Sequence, residues 1–155
     1  MSVAFRRESD EEHKEPRFEI PIPVGPNLVT AHGAGLIEAE VAKGQLRVAA
    51  ETEELPLEDA RRALRYWKTR LATARIMPPP PAGVVALGSR VTFRLKGNVR
   101  VIDIVGHDEA SPANGSIAFS APLARAMIGC EVGDLADFGG AADAIEIMTV
   151  AIQGV

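Results

Sequence analysis

Two apolar series run through the first half of the chain with the same alternating step. Ala34, Ile37, Val41, Gly44 and Val48 recur at intervals of three and four, and Leu57, Ala60, Leu64, Trp67, Leu71 and Ala74 repeat the alternation. That spacing keeps one face of a helix apolar and is the a/d seam of a coiled coil. Thr30 stands where the first helix needs an N-cap, and Glu51-Thr52-Glu53-Glu54-Leu55-Pro56 is a short connection whose proline suits the start of a second helix. Helices joined by so short a loop pack antiparallel, and two helices of about 20 residues make a hairpin about 30 Å long. Gly33, Gly35 and Gly44 each weaken the first helix by about 1 kcal/mol relative to alanine. Trp67 belongs to the apolar series and is expected in the seam, which leaves its neighbour Tyr66 expected on the outside.

Four consecutive prolines, Pro78, Pro79, Pro80 and Pro81, end this pattern and favour an extended polyproline spacer. Beyond them the period changes from 3.5 to 2. Val91, Phe93 and Leu95 alternate with polar residues, Lys96-Gly97-Asn98 reads as a turn, and residues 99–105 form a β-branched strand. Gly139-Gly140 separates two further strands, around residues 135–138 and 144–152. Between the strand 99–105 and that pair, Ser120 is a candidate N-cap, Pro122 fits the first turn of a short helix, and Gly129 fits the left-handed position after its end. Leu123, Met127 and Ile128 are expected on one face of that helix, packed on the sheet. The expected organisation is a tail over residues 1–27, a helical hairpin over 28–77, a proline-rich linker over 78–83 and an α+β domain over 84–155. Residues 1–16 are charged without apolar spacing and are expected to be disordered. The proline-interrupted apolar stretch that follows, Phe18-Glu19-Ile20-Pro21-Ile22-Pro23-Val24, permits an extended segment laid on another surface but not a central strand.

The chemistry-bearing residues exclude several classes. His13, His32 and His107 are far apart, and none has metal-ligand spacing to Cys130 or to another histidine. No metal site held by this protein alone and no tightly bound cofactor are expected. Ser89, Ser111, Ser116 and Ser120 lack a nucleophile-elbow context, and no glycine-rich phosphate loop follows a strand, so a self-contained enzyme is not expected. The formal charge of −4 argues against free nucleic acid as the principal partner. One cysteine excludes an internal disulfide and fits a reducing cytoplasm, while the charged N-terminus offers neither a signal peptide nor a membrane span. A cytoplasmic monomer is expected. Charge is also arranged along the hairpin. Glu51, Glu53, Glu54, Glu58 and Asp59 stand together without a base, and Arg61, Arg62, Arg65, Lys68, Arg70 and Arg75 follow without an acid, which makes an acidic tip on a basic stalk. Complementing the second helix's macrodipole would account for the same order of charges.

The run Ile117-Ala118-Phe119-Ser120-Ala121-Pro122-Leu123-Ala124-Arg125-Ala126-Met127-Ile128-Gly129, followed by Val132-Gly133-Asp134, resembles the C-terminal domain of the Gre transcript-cleavage factors. Gly88-Ser89-Arg90-Val91-Thr92-Phe93 is similar to that family's first strand, and Ile104-Val105-Gly106-His107-Asp108-Glu109-Ala110 to its I-V-G-x-D-E-A turn. Ala121 stands where the family usually has serine, and Met127 where it has leucine. The resemblance implies an FKBP-like fold for the second domain, with four to five antiparallel strands and one short helix. It implies RNA polymerase core as the partner, with nascent RNA or DNA met only inside that complex and no membrane.

By the same resemblance, Ser120, Ala121, Pro122, Leu123 and Arg125 form the corner that touches polymerase, and the hairpin enters the secondary channel with Arg61, Arg62, Arg65 and Lys68 facing nucleic acid. Tip carboxylates, here Glu51, Glu53, Glu54, Glu58 and Asp59 as candidates, would share a Mg²⁺ with the polymerase active centre. At most, such a protein stimulates cleavage by the polymerase. The tip lacks the family's D-x-x-E-N-A-E/D-Y motif, and each helix is shorter by about eight to ten residues, or about 12 to 15 Å of reach. No acid is therefore assigned a catalytic role. Shortened hairpins and an Ala-Pro corner resemble the regulators of nucleoside diphosphate kinase, relatives of the Gre fold, which implies a non-cleaving, channel-blocking alternative. A coiled-coil adaptor unrelated to transcription is a further alternative. Prolyl isomerase activity is not expected, because only Phe93, Phe119 and Phe138 could line an aromatic pocket.

Overall fold

The computed structural model of the chain describes residues 18–153; the expected disorder of residues 1–16 lies outside them. Helix α1, Ala31–Ala50, begins where Thr30 takes an extended conformation and its hydroxyl accepts the Gly33 N–H at 2.9 Å. It ends at extended Glu51, and α2, Glu54–Thr73, starts two residues ahead of Pro56. The helices pack along Ala34, Ile37, Val41 and Ala60, with Trp67 and Ala74 against the root cluster, as the 3–4 spacing predicts. Two short parallel strands, β1 (Leu28–Val29) and β2 (Arg75–Ile76), join the ends of the arm, with Arg75 N–H donating to Asn27 O and Met77 N–H to Val29 O, both at 2.9 Å.

The seam changes partner near that root. Leu71, expected in it, is exposed, and Arg70 is buried instead. Ala74 still packs on the cluster of Ala34 and Ile37, but the Arg70 side chain beside it turns to the second domain, where it meets the Asp108 carboxylate. Tyr66, expected outside, is half-buried on the same side for the same reason.

The second domain is a five-stranded sheet in the order β5-β4-β3-β7-β6, built from β3 (Ser89–Leu95), β4 (Asn98–Val105), β5 (Ser116–Ala118), β6 (Leu135–Phe138) and β7 (Ala141–Ile152). Lys96 and Gly97 both have positive φ, the two-residue hairpin geometry that matches strand twist. The pairing is antiparallel except that β5 runs parallel to β4, which corrects the expectation of a wholly antiparallel sheet. A parallel neighbour needs a crossover, and residues 106–115 supply it, carrying the turn on which the arm is seated. Val91, Phe93 and Leu95 face the core with Ile102, Ile104, Ile145 and Ile147.

Helix α3, Pro122–Met127, closes this core with Ala124 and Met127, both fully buried. Pro122 opens it as expected, and Gly129 adopts φ +91° beyond its end. Two expectations for α3 are corrected. Its N-cap position is Ala121 without a side-chain bond, because the Ser120 hydroxyl is engaged by His107. Ile128 is exposed, because the chain leaves the helix at that residue (ψ 130°) and turns its side chain from the sheet. The proline run is not a free spacer either, since Pro80 is buried and Gly88 passes close beside it.

Candidate functional site

The crossover turn Gly106-His107-Asp108-Glu109-Ala110 holds the arm with two carboxylates, one on each helix. Asp108 Oδ2 accepts from Arg70 Nε at 2.6 Å while its Oδ1 accepts the Tyr66 hydroxyl, so two residues one turn apart on α2 are fixed to one acid. Arg70 Nη2 donates to Asn27 Oδ1 at 2.7 Å, and Asn27 Nδ2 donates to Arg70 O at 2.8 Å and Thr73 Oγ1 at 3.2 Å. The Arg70 and Asp108 side chains are only 1% and 8% exposed, so the pair is desolvated and survives because its hydrogen-bonding groups are matched. Glu109 takes the other helix. Its Oε1 accepts the Thr30 hydroxyl at 2.6 Å, beside the N-terminus of α1, and Oε2 lies 3.3 Å from His32 Nδ1.

Two glycines permit this seating. A Cβ on Gly33 would stand 2.6 Å from Glu109 Oε1, and one on Gly106 would stand 2.6 Å from Leu28 O. At Gly106 the obstacle is backbone, whereas at Gly33 it is the end of the Glu109 side chain, which would have to leave its present position. Burial, then the bond to Asp108, pushes the Tyr66 phenol up to about 12. Burial first and the Arg70 charge second hold His107 below its ordinary value, against the pull of Asp108. Its imidazole packs on Phe119 and meets Ser120 Oγ through Nε2 at 2.7 Å.

The corner residues lie together beside this turn. Ser120, Pro122 and Arg125 are exposed, while Ala121 and Leu123 are half-buried against the core, so Leu123 supports the corner more than it faces outward. At the arm's far end the acids are dispersed. Glu51 Oε1 accepts the Thr52 and Glu53 N–H groups, both at 3.2 Å, and Asp59 Oδ1 pairs with Arg62 Nη2 at 2.9 Å. Glu53, Glu54 and Glu58 are exposed. Among the described residues no three carboxylate, imidazole or thiolate groups converge on a point that could hold a cation. The donor set thus does not fit a Mg²⁺ held by the tip alone.

On the stalk, Arg61, Arg65 and Lys68 are exposed at positions i, i+4 and i+7 of one face, whereas Arg62 is half-buried on Asp59. Glu19, from the extended segment before β1, forks onto Arg65, with Nη2 at 2.6 Å and Nε at 3.0 Å. Sequence reasoning missed the grip of Tyr66, Arg70, Asn27 and Glu19. A signal existed for the first two, since Tyr66, Arg70 and Thr73 form a polar stripe at i, i+4 and i+7 beside the seam.

The fold and this seating define a class, a two-helix arm gripped at its root by the crossover turn of a five-stranded α+β domain. Residues 80–153 match the family model described as "Transcription elongation factor, GreA/GreB, C-term", so this part of the chain is a Gre-type C-terminal domain. Transcription elongation factor GreA of Thermomicrobium roseum is 38% identical over 75 residues, covering 46% of this chain and 48% of that protein. GreA of Nitratiruptor sp. is 37% identical over 106 residues, 63% of this chain and 64% of that one, and GreA of Verminephrobacter eiseniae is 25% identical over 88% and 87%. The chain spans about half the length of the curated relatives it matches first. Among solved structures, the GreA/GreB factor of Nitrosomonas europaea is 17% identical with a TM-score of 0.40, covering 83% of this chain and 99% of that one. The GreA factor homolog Gfh1 of Thermus thermophilus is 17% identical with a TM-score of 0.38, covering 82% and 99%. No helix among the described residues is long and apolar enough to cross a membrane.

Proposed function

We propose that this chain is an RNA polymerase-binding regulator of transcription elongation, docking through the corner of Ser120, Ala121, Pro122, Leu123 and Arg125 and inserting the arm into the secondary channel. The observation that carries the reading is the double seating of the arm, with Asp108 on α2 and Glu109 on α1. An arm tied at both helices by desolvated or short bonds enters a channel without a large entropic loss. The partner is polymerase core, and nascent RNA or DNA is met only within that complex.

The tip favours a blocking role over a cleaving one. Glu51 is occupied by backbone N–H groups and Asp59 by Arg62, which leaves Glu53, Glu54 and Glu58 as acids that could share a polymerase Mg²⁺. Two-metal hydrolysis needs ligands that fix an ion about 4 Å from its partner, and dispersed acids do not supply that. Retention of the full chain by immobilised core polymerase in low salt tests the docking. Pro122→Arg is expected to weaken retention at least tenfold while leaving the thermal transition of the domain in place. Absence of any retention of the unmodified chain would refute the reading.

A further inference from the structure

Residues 18–26 lie outside every strand and helix, and among the described residues they make no hydrogen bond except through Glu19. The segment has two tethers. Asn27, buried, fixes its C-terminal end to Arg70 and Thr73, and Glu19 fixes the other end to Arg65. Pro21, Pro23 and Pro26 stiffen the span between them and remove three N–H donors from it.

The position of the second tether is informative. Arg65 is the central cation of the exposed stripe Arg61, Arg65 and Lys68, so one carboxylate covers the middle of the stalk's positive face. Both members of the pair remain more than half exposed, at 61% for Glu19 and 56% for Arg65. An ion pair in that setting is screened and readily exchanged for another anion. Of the apolar side chains between the tethers and at their edge, Phe18 and Val24 are 79% and 95% exposed, while Ile20 and Ile22, at 39% and 43%, are only partly covered. The segment is thus pinned firmly at Asn27 and lightly at Glu19, as a latch is.

We propose that residues 18–26 are a removable cover on the basic stripe of the arm, closed by Glu19 on Arg65 and opened when the phosphate backbone of a single-stranded RNA takes the place of the Glu19 carboxylate. The proposal rests on the reading of the stalk as the nucleic-acid-facing part of a polymerase regulator. It adds a competition within the chain: Arg65 serves either the segment or a phosphate. Arg62 is not part of the exchange, because Asp59 already holds it.

Fluorescence anisotropy of the full chain with a labelled single-stranded RNA, without polymerase, tests this over a salt series. Glu19→Gln keeps the shape of the segment and removes its charge. It is expected to bind the RNA about fivefold more tightly at about 0.1 M salt and to steepen the log–log salt slope by about 0.7, the contribution of one phosphate contact on a single strand. Arg65→Gln is expected to bind more weakly than the unmodified chain, and adding Glu19→Gln to it is expected to change nothing further. An unchanged affinity on Glu19→Gln, an equal gain in the Arg65→Gln background, or no RNA binding by any variant would each overturn the cover. Polymerase retention of the same variants is measured separately, so a failure there counts against the proposed function and not against the latch.

Discussion

Replacing Asp108 by alanine is the sharpest perturbation of the arm's seating. It leaves the Arg70 guanidinium, 1% exposed, with Asn27 as its remaining acceptor, and it removes the acceptor of the half-buried Tyr66 hydroxyl. Stripping one partner from a buried ion pair costs about 3–5 kcal/mol, because the other charge stays desolvated and uncompensated. For a chain of this size that corresponds to a fall in Tm of roughly 6–20 °C. Arg70→Met likewise strands a charge, leaving Asp108, 8% exposed, with only its Tyr66 bond, at an expected cost of about 3–5 kcal/mol. The double substitution Arg70→Met/Asp108→Leu exchanges the pair for apolar packing and is expected to recover most of the loss, giving a coupling energy of at least about 2 kcal/mol. Urea unfolding followed by circular dichroism measures all three. A loss below about 1 kcal/mol for Asp108→Ala, or strictly additive effects, would refute the view that this pair is desolvated and holds the arm.

Two further outcomes follow from neighbouring geometry. Gly106→Ala is expected to destabilise by about 1–3 kcal/mol, because its Cβ meets the backbone carbonyl of Leu28, whereas Gly35→Ala, with open space around it, is expected to stabilise by up to about 1 kcal/mol; thermal melts of the pair check the contrast. His107 has a folded pKa below its unfolded value, so the unfolded chain takes up the proton first, and the contribution of the neutral ring is complete above the unfolded pKa and lost as pH falls through the folded one. Unfolding free energy is therefore expected to decline from about pH 7 downward, more steeply in the unmodified chain than in His107→Gln.

The arm and the sheet were both legible because each rests on a local period. The 3–4 recurrence of Ala34, Ile37, Val41 and of Ala60, Leu64, Trp67 needs no partner beyond the other helix, and Val91, Phe93 and Leu95 announce one buried face by alternation. What was not legible depends on contacts across long separations. Arg70 reads as one more base in a run from Arg61 to Arg75, and nothing local says that Asp108, 38 residues away, buries it. Ser120 obeys the N-cap rule in sequence, yet His107 lies close enough to claim its hydroxyl, and a helix opened by Pro122 does without the cap. The acidic tip was legible as a run of charges but not as a geometry. Proximity in sequence suggested a cluster, but Glu51 turns back onto its own connection and Asp59 onto Arg62, as short acidic side chains at helix ends commonly do.

Transcript shortening in backtracked polymerase complexes tests the central claim most directly, with the full chain added alone and together with a cleavage-competent GreA. The chain alone is expected to give no acceleration, and shortening is expected to slow when it competes with GreA. Acceleration by the chain alone that disappears in Glu53→Ala/Glu54→Ala would contradict it.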